Sequence, residues 1–182
     1  MICGDRVRLR AVERSDLPQF QQWLNDPEVI ANLSTYLPLS MTDEEQWFQG
    51  VSRSQPDEKP LAIEVKQGRG WRLIGNCGFF NLEWANRSTE FGIFIGDKSV
   101  WDKGYGTEAV RLLVRHGFET LNLHRIYLRV YSTNPRGKRA YEKAGFVLEG
   151  TMREAVYRRG SYADVNIMSV LRSDWDAVPE GK

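Results

Sequence analysis

The chain has 182 residues, of which 41% are hydrophobic and 27% are charged, and its formal net charge is +1. These values are close to globular averages and argue against a disordered or fibrous protein. The sequence contains no apolar run near the roughly 20 residues of a transmembrane helix, no signal-peptide pattern at its charged start and no basic run typical of nucleic-acid binding. We therefore expect one domain over residues 1–182, cytoplasmic, with neither a membrane nor a nucleic-acid partner.

The first elements are predicted to be a strand and two helices. Arg6–Val12 alternates polar and apolar residues, a pattern typical of a half-buried strand. A helix is predicted from Ser15, as its N-cap, to about Asn25, before an Asp-Pro pair that ends helices. Thr42–Glu45 fits a capping box and predicts a second helix through about Arg53.

The middle of the chain shows four strand-like runs, which are Leu61–Lys66, Trp71–Asn81, Glu90–Ile95 and Arg125–Val130. The segment Gln67–Gly70 fits a hairpin turn between the first two. Apolar residues at helical spacing predict a helix from about Gly106 to Thr120. A helix between two strands predicts a parallel βαβ unit, while the other connections favour antiparallel pairing.

The last third is predicted to hold one helix and a hairpin. Asn134 is a good N-cap, and the proline after it suits the first helical position. Gly145 is a normal helix stop. Val147–Val156 and Tyr162–Val170 are then read as the final strands.

The two cysteines and the charge distribution each suggest something about ligands. Cys3 and Cys77 lack the short spacing of metal ligands, so we expect free thiols and no metal site. Residues 101–160 carry 12 Lys/Arg against 6 Asp/Glu, whereas residues 1–100 carry 11 against 14. A basic segment favours an anionic ligand, with a solvated surface of mixed charge as the alternative.

The segment Trp101–Glu108 is the most informative one for chemistry. Gly104 and Gly106 precede a helix whose first N–H groups have no internal partner and carry partial positive charge. This combination predicts a phosphate site, with an ordinary glycine-rich helix start as the alternative. The dinucleotide pattern Gly104-x-Gly106-x-x-Ala109 is out of context, because the preceding strand ends well before the first glycine.

A second group of residues lies on the helix that Asn134 begins. Asn134, Lys138 and Tyr141 fall along one helix face. A tyrosine hydroxyl, with an ordinary pKa of about 10, is a proton donor at neutral pH. The alternative is that Asn134 only caps the helix and Tyr141 packs into the core.

Together these segments resemble the GCN5-related N-acetyltransferases (GNATs) over about residues 90–150. The segments 7–16, 25–29 and 150–164 are similar to the branch that contains ribosomal-protein alanine acetyltransferases and spermidine acetyltransferases. The resemblance implies an α+β fold, with about four helices around a mostly antiparallel twisted sheet of about seven strands that includes one splayed parallel pair. It also implies an enzyme that transfers acetyl from acetyl-CoA directly to a primary amine in a ternary complex.

The resemblance assigns roles to particular residues. Tyr141 would protonate the departing CoA thiolate, and Glu90 would act as the base through water. Asn134 would hydrogen-bond the pantetheine arm, which would also pair with the backbone of Ile93, Phe94 and Ile95. The phosphates would be bound by Trp101, Asp102, Lys103, Gly104, Tyr105, Gly106, Thr107, Lys138, Arg139 and Lys143.

The sequence departs from the family at several positions. Trp101 stands where Gln or Arg is frequent, and Gly137 replaces a frequent serine. Thr35 and Tyr36 lie where a spermidine enzyme would carry carboxylates, which weighs against a polyamine acceptor.

The acceptor is left open between a protein N-terminus and a small amine. The aromatic residues that belong either to an acceptor site or to the core are Trp23, Trp47, Phe48 and Trp84. Exposed aromatics also suggest a homodimer. A non-catalytic acyl-CoA sensor on the same fold and a dinucleotide-binding oxidoreductase are the alternative functions.

Overall fold

A computed structural model describes residues 1–176. Its strands are β1 (Ile2–Cys3), β2 (Val7–Ala11), β3 (Leu61–Gln67), β4 (Gly70–Glu83), β5 (Ser88–Ile95), β6 (Arg125–Tyr131), β7 (Val147–Arg158) and β8 (Ser161–Leu171). Its helices are α1 (Leu17–Leu24), α2 (Met41–Arg53), α3 (Tyr105–Glu119), α4 (Pro135–Lys143) and α5 (Arg172–Asp176). No helix among the described residues is long and apolar enough to cross a membrane.

The eight strands form one sheet in the order β1-β2-β3-β4-β5-β6-β8-β7. Only β5 and β6 run parallel, and every other neighbouring pair is antiparallel. The predicted α+β fold, with a mostly antiparallel sheet and one parallel pair, is confirmed. The additional strand is β1, whose two residues are too few to show a periodic pattern.

The parallel pair is splayed. β5 pairs with β6 only where Ser88–Glu90 lies beside Arg125–Tyr127. Beyond that point β5 follows β4 as far as Ile95, while β6 follows β8 as far as Tyr131. The strands therefore separate after Glu90, and within residues 1–176 the rest of β5 has no strand partner on the side of β6.

The N-terminal helices begin with other caps than the sequence predicts. α2 starts after Ser40, whose Oγ accepts from the Asp43 N–H at 3.2 Å. The Ser40 N–H donates in turn to the Asp43 carboxylate at 2.8 Å. The predicted capping box, with Thr42 as N-cap, is therefore wrong: the N-cap is Ser40, two residues earlier. Ser15 lies in a 3-10 turn before α1, and there Asp16 accepts from the Glu13 N–H at 2.8 Å.

The main core lies between the sheet and α3, whose buried residues recur at the spacing of one helix face. Gly117 allows this close approach, because a Cβ there would lie 2.8 Å from Ile126 Cδ1 and 2.9 Å from Phe79 Cζ. A smaller cluster joins Leu17 and Phe20 of α1 to the sheet. The two clusters hold α3 and α1 at the place where β5 and β6 diverge.

Candidate functional site

A cleft of about 1250 Å³ opens where β5 and β6 separate. It brings together most of the residues that the sequence predicts for the site. Those that line it are Glu90, Ile93, Phe94, Ile95, Trp101, Asp102, Gly104, Gly106, Thr107, Asn134, Arg139, Tyr141 and Lys143. The predicted Lys103, Tyr105 and Lys138 do not line it, and Lys138 lies 3.9 Å from Glu142 on the same helix.

The N-terminus of α3 faces this cleft. Gly104 is its N-cap, has a φ of +83° and provides no side-chain cap, so the first N–H groups of the helix are available to a ligand. The left-handed conformation favours glycine at this position. The helix dipole adds partial positive charge there, so the geometry suits the pyrophosphate of a coenzyme.

Glu108 holds this helix start in place. Its Oε1 accepts from the N–H groups of Arg6 and Val7 at 2.8 and 3.0 Å, and its Oε2 accepts from Arg6 Nε at 2.9 Å. Arg6 also donates to the carbonyl of Lys103 at 3.3 Å. The loop before α3 is thus fixed by a strand about one hundred residues away in the sequence.

Trp101 has a structural role that its position in the loop does not indicate. Its indole Nε1 donates to the carbonyl of Ile95 at 2.9 Å, so that carbonyl is already engaged at the end of β5. The guanidinium of Arg136 lies 3.7 Å from the ring centroid. Sequence reasoning missed Arg136, although its position directly after Asn134-Pro135 in a basic helix start was visible.

Asn134 caps α4 and also lines the cleft. Its Oδ1 accepts from the Gly137 N–H at 2.9 Å, and its Nδ2 has no hydrogen-bond partner among the residues that the structure describes, so this donor can serve a ligand. A Cβ at position 137 would lie 2.6 Å from that Nδ2. Glycine in place of the frequent serine therefore makes room for this orientation of Asn134.

Tyr141 both packs in the core and lines the cleft. Its ring packs against Phe91 and Phe146, with centroids 6.3 and 6.0 Å away. Its hydroxyl has no hydrogen-bond partner among residues 1–176, and the residue lines the cleft. Burial raises the pKa of Tyr141 to about 12, which keeps the hydroxyl protonated.

Glu90 is buried, with 4% of its surface exposed, and is held by two partners. Arg129 donates to its two carboxylate oxygens at 2.7 and 3.1 Å, and Asn81 donates at 3.1 Å. A carboxylate can accept about four hydrogen bonds, so one more, from water, can be accommodated. Sequence reasoning missed Arg129, because a strand pattern does not indicate a partner 39 positions away.

The far end of the cleft lies under α1, α2 and the loop between them. Of the four aromatic residues proposed for an acceptor site, only Trp47 lines the cleft. Trp23 packs against Gly96, where a Cβ would lie 2.2 Å from the indole. Arg158 of β7 donates to the carbonyls of Leu33 and Ser34 at 3.3 and 3.2 Å and so holds the loop over the cleft.

Comparison with known proteins identifies the family. The model of a family described as an acetyltransferase (GNAT) domain matches residues 6–147. The chain belongs to the GNAT acetyltransferase family. This confirms the predicted family and its activity, an acetyl-CoA-dependent N-acetyltransferase.

Individual relatives match nearly the whole chain. The chain is 32% identical over 172 residues to spermidine N(1)-acetyltransferase of Vibrio cholerae, and the match covers 94% of this chain and 96% of that protein. It is 33% identical over 172 residues to YdaF of Bacillus subtilis, provisionally named a ribosomal N-acetyltransferase, covering 94% and 88%. The crystal structure of the Vibrio cholerae spermidine N-acetyltransferase with CoA and spermine has a TM-score of 0.85 at 29% identity, covering 94% of this chain and 99% of that one.

Metal and disulfide chemistry find no support in the described residues. Cys3 is exposed and Cys77 is buried, and both are free. Within residues 1–176, no group of three or more His, Cys, Asp or Glu side chains is arranged to hold a metal ion.

Proposed function

We propose that this acetyltransferase transfers acetyl from acetyl-CoA directly to the primary amine of a small molecule, with both substrates in the cleft. The observation that carries the proposal is the cleft itself. It joins the α3 N-terminus, the β5 edge beyond Glu90 and Tyr141 at one end to a chamber under α1 and α2 at the other, which apolar and acidic side chains line together.

The coenzyme end offers matching groups for each part of acetyl-CoA. The N–H groups after Gly104 would bind the pyrophosphate, and Arg136, Arg139 and Lys143 would neutralise the phosphates. The backbone of β5 beyond Glu90, apart from the Ile95 carbonyl that Trp101 engages, would pair with the pantetheine amides, since no strand of residues 1–176 occupies that edge. Asn134 Nδ2 would donate a further hydrogen bond to the same arm.

The chemical step needs one proton removed and one supplied. The amine nitrogen attacks the thioester carbonyl, the carbon–sulfur bond breaks, and the amine loses a proton. Tyr141 would donate its hydroxyl proton to the leaving sulfur, since the residue lines the cleft and its hydroxyl has no hydrogen-bond partner among residues 1–176. Glu90 would accept the amine's proton through a water molecule, while Arg129 fixes the carboxylate in place.

A small amine is favoured over a protein N-terminus because a loop covers the acceptor end of the cleft. This loop, between α1 and α2, is held by hydrogen bonds from Arg158, and it narrows the opening through which a protein chain would have to enter. The Vibrio cholerae relative was crystallised with spermine, a small amine. Position 35, which lines this end, is threonine rather than an acid, so the acceptor of this chain would differ from a polyamine.

Three measurements test the proposal. Calorimetry with acetyl-CoA should show binding, and a thiol assay with a panel of primary amines should show CoA release. Mass spectrometry of a cell lysate incubated with enzyme and labelled acetyl-CoA should find the label on metabolites rather than on protein N-termini. Binding without any CoA release would instead support the acyl-CoA sensor. The homodimer stays a prediction, and the molar mass from analytical ultracentrifugation tests it.

A further inference from the structure

The inward face of α2 carries an acid where an apolar residue is expected. Glu44, Phe48 and Val51 recur at the i, i+4, i+7 spacing of one helix face. Glu44 is 4% exposed, and it lines the cleft. A charged group at a core-facing position contradicts the local pattern, and such contradictions are concentrated at functional sites.

Glu44 also lacks the compensation that the other buried acids have. Asp16, Glu64 and Glu90 each pair with an arginine. The carboxylate of Glu44 accepts no hydrogen bond and pairs with no cation among the residues that the structure describes, and its neighbour Asp43 is engaged by the α2 cap. Burial raises the pKa of Glu44, and the nearby charge of Asp43 adds to the shift.

The surroundings of Glu44 suit an organic cation. Trp47 lies one helical turn further along α2 and also lines the cleft. Its ring meets that of Phe20 edge to face, with centroids 6.2 Å apart. Leu24 and Val29 are further apolar residues in the lining of the cleft. A carboxylate beside aromatic rings is the combination that binds an ammonium group attached to an apolar body.

We propose that Glu44 binds the acceptor in its ammonium form as it enters the cleft, before that amine loses its proton and moves to the thioester, and so selects a monoamine with an apolar body. This inference rests on the proposed function, because it assigns the acceptor end of the same cleft. Asp43 and Glu58 line the same end of the cleft, but their carboxylates accept hydrogen bonds from Ser40 and from the Leu82 N–H. Glu44 is thus the acid at this end without a partner among residues 1–176, and one such carboxylate matches one ammonium, while the apolar side chains match a hydrocarbon or aromatic remainder. An acceptor with a carboxylate next to its amine would be repelled.

The test uses phenethylamine and phenylalanine, which differ mainly by that carboxylate. Calorimetry on the full chain saturated with CoA should show phenethylamine binding at least tenfold more tightly than phenylalanine. Glu44→Gln should weaken phenethylamine binding at least tenfold and leave acetyl-CoA affinity unchanged, and Glu44→Asp should restore part of the loss. The control is Glu45→Gln on the same helix, since Glu45 pairs with Arg14 and does not line the cleft.

Several results would overturn the inference. Equal binding of the two probes, no phenethylamine binding while CoA binds, or unchanged binding in Glu44→Gln would each show that Glu44 does not hold an ammonium. The comparison of the two probes on the unmodified protein remains decisive if a variant fails to fold. Failure of acetyl-CoA itself to bind would overturn the proposed function and, with it, this inference.

Discussion

Replacing Tyr141 by phenylalanine isolates one hydroxyl group. The ring packs against Phe91 and Phe146, and these contacts do not involve the hydroxyl. Since that hydroxyl has no protein partner within residues 1–176, its removal leaves no buried group unpaired. We therefore expect the free energy of unfolding to change by less than about 0.5 kcal/mol, with acetyl-CoA affinity unchanged.

The effect on rate should be large, because a general acid contributes about 10²–10⁴-fold. At about 1.36 kcal/mol for each factor of ten, this corresponds to roughly 3–5 kcal/mol of barrier. Burial raises the pKa of Tyr141 to about 12, so the unmodified enzyme should lose no rate to tyrosine ionisation between pH 7 and pH 10. Deprotonation of the hydroxyl would set in only as the pH rises toward 12.

The assay is single-turnover CoA release with acetyl-CoA pre-bound, which separates chemistry from product release. The control is Tyr157→Phe, which removes the hydroxyl of an exposed tyrosine outside the cleft and should leave the rate unchanged. A single-turnover rate within threefold of the unmodified enzyme in Tyr141→Phe would refute the assignment of this residue as the acid. So would a fall in rate of the unmodified enzyme with a midpoint near pH 10.

Three further predictions concern the unpaired acid, the α3 N-terminus and one surface ion pair. Because burial raises the pKa of Glu44, its negative charge lowers the stability of the fold above that pKa. Glu44→Gln should therefore raise Tm at pH 8 and leave Tm unchanged below about pH 4.5. An equal rise in Tm at both pH values would contradict this explanation. Gly104→Ala should destabilise the fold by about 1 kcal/mol, because alanine is strained in this left-handed backbone conformation, and it should also weaken acetyl-CoA binding measured by calorimetry. The control is Gly160→Ala, at φ +85° with open space around it, which should lower Tm by a similar amount and leave acetyl-CoA binding unchanged. Arg125 lowers the pKa of Glu149 to about 2, so the ion pair should stabilise the fold at pH 7. Glu149→Gln should lower Tm at pH 7 by the equivalent of under about 1 kcal/mol, since the pair is partly exposed, and this loss should vanish as the pH falls toward 2. A loss of Tm that persists at pH 2 would exclude the ion pair as its cause.

Local patterns were sufficient for most elements. The alternation in β2, the helical spacing in α3 and the Asn-Pro start of α4 each concern residues a few positions apart. Backbone geometry imposes periods of 2 and 3.6 residues on such segments, so these elements can be recognised without knowing what they pack against. The helix starts were less certain, because Ser40 and Thr42 are both acceptable caps and only the hydrogen bonds distinguish them.

The residue types and spacing of the coenzyme end were also visible in the chain. Gly104, Asn134 and Tyr141 occur in an order and at distances typical of the family, and the structure places all three along one cleft. Their signal is strong because helix N-termini, caps and a proton donor need particular side chains at fixed offsets from a helix start.

The pairing of distant residues could not be read from the chain. Arg129 meets Glu90 only because two parallel strands run side by side before they separate. Trp101 reaches the Ile95 carbonyl because the loop between them folds back on β5. Such contacts depend on how the sheet is assembled, and sheet assembly joins segments that have no periodic relation in sequence.

Glu44 shows the same division most clearly. Its sequence context, a Thr-Asp-Glu-Glu run at a helix start, is that of a solvated first turn, and acids there are ordinary. Local chemistry indicates that a helix begins near this point. The packing of α2 against α1 and over the cleft decides that this acid is 4% exposed and lines the cleft, whereas Glu45 beside it remains partly exposed outside the cleft. Helix formation requires only neighbours within one turn, whereas burial of a charge depends on every element that surrounds it.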